Sequence, residues 1–171
     1  AAGPTTRRAV AAALEAGYRL IDTASAYGNE EDVGAAVAES GIPRERIFLT
    51  TKVWNDEQGT ERTPAALRAS LARLGMATVE LYLIHWPAAG RWPQAWRAMQ
   101  GLRDAGLCRT IGVSNFEIHH LEELRRFSSE RPAVNQVEFN PFLFRRDLLT
   151  YCQDHGIVLE GYSPLTRGDR L

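Results

Sequence analysis

The chain has 171 residues, and its 20 basic and 21 acidic side chains leave a formal net charge of −1, which argues against a nucleic-acid-binding footprint. With 44% hydrophobic and 24% charged residues it has the composition of a globular domain, long enough for one core and hence a single domain over 1–171. No apolar run approaches the ~20 residues of a transmembrane helix.

The chain opens on Ala1-Ala2-Gly3-Pro4, without an initiator Met or a charged-then-apolar leader, and so reads as entered partway through a larger protein. A helical segment leads into a strand-length apolar run at 18–22. Asn29-Glu30-Glu31-Asp32 opens a helix with acidic groups where the helix dipole favours them; Val33 and Val37 face inward and Gly41 closes it. A second apolar run covers 46–53. Thr63-Pro64 then reads as an N-cap and first helical residue, Leu67, Leu71 and Leu74 share a face, and Gly75 ends the helix. The pattern repeats: a run at 79–86, then Trp96, Met99 and Leu102 before Gly106; a run at 109–114, then Ile118, Leu121 and Leu124; a run at 133–138, then Leu148, Leu149 and Cys152 before Gly156; and a last run at 157–162. Cys108 and Cys152 lie in no CxxC motif and read as small buried hydrophobes in a reduced, cytoplasmic setting.

Strands alternating with helices predict a parallel sheet covered on its outside by helices. An open doubly wound sheet and a (β/α)8 TIM barrel both satisfy that pattern. No G-x-G-x-x-G follows any strand, which weighs against a dinucleotide-binding open sheet, and the even repeat favours the barrel. A barrel takes eight strands and typically ~250 residues. Six runs therefore predict an incomplete barrel of about six βα units.

In a parallel barrel the chemistry sits at the C-terminal ends of the strands. There the sequence places Asp22, then Tyr27 in the following loop, Lys52, His85, Ser114-Asn115, Gln136 and Tyr162-Ser163. Each alone reads as a turn residue, a solvated charge or a core histidine; their placement on successive strands is what suggests a site. Asp22 and Lys52 near one mouth are expected to pair, since an unpaired buried charge is costly. A tyrosine hydroxyl ordinarily titrates near ~10, and a neighbouring ammonium favours its phenolate. Tyr27 beside Lys52, with His85 to orient a carbonyl oxygen, would make a proton donor for a carbonyl undergoing reduction. The hydride would have to come from a cofactor.

The runs Gly17-Tyr18-Arg19-Leu20-Ile21-Asp22-Thr23-Ala24 with Tyr27-Gly28-Asn29-Glu30, Thr51-Lys52-Val53-Trp54, Tyr82-Leu83-Ile84-His85-Trp86-Pro87 and Ile111-Gly112-Val113-Ser114-Asn115-Phe116 resemble the aldo-keto reductase family, in family order. Asn135-Gln136-Val137-Glu138 and Gly161-Tyr162-Ser163-Pro164-Leu165 continue the likeness over nearly the whole chain, nearest to the bacterial diketogluconate-reductase-like members. The resemblance implies a (β/α)8 barrel reducing aldehydes and ketones with NADPH. It implies a tetrad of Asp22, Tyr27, Lys52 and His85, with Tyr27 as general acid. It implies that Ser114, Asn115 and Gln136 hold the nicotinamide carboxamide, that Tyr162 stacks on the ring, and that Ser163 and Leu165 start the loop along the pyrophosphate. Trp54 and Trp86, with His85, would line the substrate pocket.

The sequence departs from that pattern in places. Thr166 stands where the family usually has Gly. The strand preceding the first helix and the last strand are missing, together with the basic segment that grips an adenosine 2′-phosphate, so NADH stays open beside NADPH. No partner beyond a small carbonyl substrate is implied, and the oligomeric state is not legible. A non-catalytic cofactor-binding or regulatory module on the same fold is the second reading. His119-His120 form no HxxxH or HExxH spacing, so no metal site is expected. His155 reads as a helix-end residue, and Arg7-Arg8, Arg125-Arg126 and Arg145-Arg146 as solvated faces.

Overall fold

The computed structural model describes residues 3–168. Helix α1 (Pro4–Glu15) precedes six parallel strands ordered β1-β2-β3-β4-β5-β6. They are β1 (Leu20–Asp22), β2 (Phe48–Val53), β3 (Val79–Ile84), β4 (Cys108–Ser114), β5 (Val134–Glu138) and β6 (Val158–Tyr162). Helices α2 (Glu30–Glu39), α3 (Arg62–Leu74), α4 (Trp92–Asp104), α5 (Ile118–Phe127) and α6 (Arg146–Asp154) connect them. Strand order equal to chain order is the signature of a barrel wall rather than a doubly wound sheet, which reverses direction at a switch point. A hydrogen bond between Gln136 on β5 and Asp22 on β1, strands four places apart, shows the sheet curled on itself.

The pairing register assigns every strand residue to a face. Asp22 pairs with Thr50, Lys52 with Leu83, Leu83 with Gly112, Ser114 with Gln136 and Gln136 with Glu160. Because side chains alternate with a period of two, these residues share the concave face. Their neighbours Ile21, Leu49, Val53, Tyr82, Ile84, Ile111, Val113 and Val137 point outward into the main core. That core closes against Leu67, Leu71 and Leu74 of α3 and Trp96, Met99 and Leu102 of α4, the residues whose helical spacing was legible in the sequence.

Several local expectations are corrected. Strand β3 ends at Ile84, so His85 and Trp86 stand beyond it, although His85 N still donates to Val53 O at 3.1 Å. Helix α3 begins at Arg62, with Glu61 at its N-cap. Thr63 is therefore already helical, and its hydroxyl donates to Glu57 O (3.3 Å) and accepts from Gly59 N (3.1 Å), which holds the incoming loop. Glu30 does not simply favour the α2 dipole: it is buried, accepts from Thr51 Oγ1 at 2.6 Å and pairs with Arg73 of α3. Arg145 is half-buried and pairs with Glu117, whereas Arg7 lies on an exposed face, as expected, and pairs there with Glu39. Cys108 and Cys152 are free and buried, as expected, and burial pushes the Cys108 thiol up to about 12.

Candidate active site

Each strand delivers its group by ending. Asp22 is the last residue of β1, Lys52 the penultimate of β2, and His85 follows β3 directly. The Lys52 ammonium pairs with Asp22 Oδ1 and donates to Thr23 O at 2.9 Å. Its side chain is 1% exposed against 29% for Asp22, so the charge that needs a partner is the one most removed from water. Tyr27 stands in a 3-10 turn, Ser25–Tyr27, which Gly28 closes in the left-handed region (φ 62°). Its ring centroid lies 5.1 Å from Lys52 Nζ and 5.6 Å from the His85 ring, edge-on at 83°. The Trp54 ring approaches His85 from another side at 4.9 Å. Asp22, Tyr27, Lys52 and His85 thus meet at one end of the sheet, and Tyr27 remains 45% exposed.

His85 is 7% exposed, and its Nδ1 is buried with no hydrogen-bond partner among the described residues. Burial first, and the Lys52 charge second, lower its pKa to about 4. The imidazole is therefore neutral at neutral pH and can act as a donor without carrying charge.

Strands β4 to β6 line the facing side. Asn115 holds a left-handed backbone (φ 61°), which asparagine tolerates better than most residues. Its Nδ2 donates to His85 O (3.0 Å) and to Ser114 Oγ (3.1 Å), and its Oδ1 accepts from Tyr162 Oη (2.9 Å). Ser114 Oγ donates in turn to Gln136 O at 2.8 Å. Gln136 Nε2 donates to Asp22 Oδ2 (2.9 Å) and Glu160 Oε1 (2.7 Å), while its Oε1 accepts nothing among the described residues. That oxygen accepts no hydrogen bond there, whereas Ser114 Oγ and Asn115 Oδ1 each already accept one, so this wall fits a carboxamide N–H at Gln136.

The remaining predicted residues sit at the rim. Trp86 is 43% exposed, with its carbonyl accepting from Gln58 Nε2 at 2.8 Å, and Leu165 is 63% exposed. Ser163 (φ 50°) and Thr166 (φ 51°) are both left-handed, which costs roughly 1–2 kcal/mol at a residue that carries a Cβ. Sequence reasoning missed Glu160, Glu57 and Ser25. Glu160 was findable, since it lies two residues before Tyr162 and a period of two puts both on one face. Glu57, which accepts from Ser25 Oγ (2.6 Å) and Trp54 N (3.2 Å), carried no signal because the pairing joins two separate loops. No metal-holding cluster of His, Cys, Asp and Glu occurs among the described residues.

An inward-curled parallel α/β sheet that gathers Asp22, Lys52 and His85 at or just beyond the C-terminal ends of successive strands, with Tyr27 in the first loop, defines a barrel-type protein. The chain belongs to the aldo/keto reductase family, whose family model matches residues 3–169. It is 50% identical over 169 residues to the glyoxal reductase of Bacillus subtilis, covering 99% of this chain and 61% of that protein. The crystal structure of an aldo/keto reductase from Brucella melitensis superposes with a TM-score of 0.93 at 46% identity, over 95% of this chain and 64% of the other. A Bombyx mori aldo-keto reductase, solved in complex with NADP, superposes with a TM-score of 0.88 at 42% identity, over 92% and 55%. The chain spans about three fifths of the length of the curated relatives it matches. Among the described residues no helix is long and apolar enough to cross a membrane.

Proposed function

We propose that this protein reduces small aldehydes and ketones to alcohols with NADPH in the cytoplasm, with Tyr27 as general acid and Asp22, Lys52 and His85 in support. The observation that carries this reading is the convergence of Tyr27, Lys52 and His85, with the Tyr27 ring 5.1 Å from the Lys52 ammonium and 5.6 Å from the His85 ring. A relative named as a glyoxal reductase and a structural neighbour solved with NADP support it.

A bound nicotinamide supplies the hydride. Gln136, with the Ser114–Asn115 pair, would hold its carboxamide, the Tyr162 ring would flank the nicotinamide, and Ser163 and Leu165 would start the loop beyond. The substrate carbonyl lies between Trp54 and Trp86, and neutral His85 donates to its oxygen. As negative charge develops there, Tyr27 gives up its proton to it. The Lys52 ammonium, held by Asp22 and Thr23 O, stabilises the phenolate that is left.

The test is loss of NADPH absorbance with a small aldehyde. Tyr27→Phe is expected to lower kcat by ~10²–10⁴-fold while NADPH still binds, and a loss below about tenfold overturns the assignment. Lys52→Met is expected to be comparably severe.

A further inference from the structure

We infer that Glu160, to which neither the sequence reading nor the mechanism above gives a role, is a positioning residue that fixes the plane of the Gln136 amide. Resting on the function proposed above, its consequence is that Gln136 Oε1 is held ready for the N–H of a nicotinamide carboxamide.

A glutamine amide has two N–H donors and one carbonyl acceptor in a single plane. Gln136 Nε2 spends both donors on carboxylates, Asp22 Oδ2 at 2.9 Å and Glu160 Oε1 at 2.7 Å. Ionised carboxylates only accept, so the nitrogen must face them and the amide cannot be reversed. Asp22 alone would set which end faces it, but one hydrogen bond is a hinge about which the plane swings. The second bond, to Glu160, removes that freedom. The register Gln136↔Glu160 puts the two residues side by side on the concave face, and Gln136 is only 4% exposed. Asp22 spends its other oxygen on Lys52. A continuous chain Glu160–Gln136–Asp22–Lys52 therefore crosses the curled sheet from β6 to β2.

Two readouts test this. In the free protein, the two side-chain amide protons of Gln136 are followed by NMR. Glu160→Leu and Glu160→Ala remove the acceptor; each is expected to move one of the two protons to the position of an unbonded amide while the proton on Asp22 holds. Glu160→Gln, which keeps an oxygen at the same place, is expected to restore it. Protons that do not move in a folded Leu or Ala variant overturn the inference. By calorimetry, wild type is expected to prefer NADP+ over its 3-acetylpyridine analogue, which lacks the carboxamide N–H. That preference should fall about three- to tenfold in Glu160→Leu, the worth of one neutral hydrogen bond, and return in Glu160→Gln. An unchanged preference overturns the positioning role. Failure of the protein at its natural length to bind either dinucleotide overturns the proposed function and the carboxamide role with it, whatever the amide protons show.

Discussion

His85 and Tyr82 sit one on the other side of the end of β3, and each carries a polar atom that its burial leaves without a partner among the described residues. For His85 the consequence is pH dependence. Its folded pKa is about 4, below the ordinary value of 6.5. As pH falls from 6.5 the unfolded chain takes up this proton while the folded chain does not, so folding stability is lost progressively down to about pH 4. Urea midpoints at pH 7 and pH 5 are expected to fall on acidification, and His85→Asn to flatten that fall; an equally steep fall in the variant means that other groups cause it. Tyr82 is fully buried, and burial raises its hydroxyl pKa well above the usual tyrosine value. Its hydroxyl is desolvated without return, which costs roughly 1–3 kcal/mol. Tyr82→Phe is accordingly expected to stabilise the fold by about 1 kcal/mol and raise Tm by about 2–4 °C. A lowered Tm by calorimetry contradicts this.

At the scale of elements, helix–helix contacts are set by a few forced fits. Gly34 on α2 lies against the end of α3, where an added Cβ would stand 2.2 Å from Leu74 O. Gly→Ala in a helix is usually favourable by roughly 0.5–1 kcal/mol. Here the clash is with backbone, which cannot rotate away, so Gly34→Ala is expected to cost at least about 2 kcal/mol and lower Tm by roughly 4–8 °C. A neutral result in thermal unfolding would mean that the helices separate freely. Glu30 bolts the same corner, joining α2 to Thr51 on β2 and Arg73 on α3. At the other end of the strands, Arg44 pairs with Glu80, which also accepts from Leu49 N at 2.9 Å. In both bolts the carboxylate is buried and its arginine reaches solvent, so each matters chiefly by the buried carboxylate its loss would strand.

For the molecule as a whole, the six strands leave β1 and β6 at the two edges of the sheet. Leu20, Phe48 and Val158 all lie on the concave face by register, and they remain 46%, 39% and 61% exposed. Interior residues of a closed barrel are packed by the opposite wall; these three have no such wall among the described residues. Unpaired edges and exposed apolar side chains promote association. The 171 residues expressed alone are expected to elute as oligomers in size-exclusion chromatography and to bind NADPH weakly by fluorescence titration. A compact monomer with low-micromolar affinity would show that closure is not needed.

Fold class and site were legible for different reasons. Apolar runs of strand length separated by helical stripes such as Leu67, Leu71 and Leu74 identify a parallel α/β wall because burial on both faces demands that pattern. The rule that barrel chemistry gathers at strand ends groups Asp22, Lys52 and His85 from their places in the sequence alone. Strand and helix ends were less legible, as at Thr63 and Trp86, because capping bonds come from neighbouring loops rather than from propensity. What only the tertiary structure decided are contacts between residues far apart in sequence. Gln136 reaches Asp22 across 114 positions, Glu57 closes on Ser25 across 32, and Gly34 is needed because α3 passes against it. Local sequence carries periodicity and end signals, which act over a few residues. Hydrogen bonds that join different strands and loops exist only once the sheet has curled and brought their partners within about 3 Å.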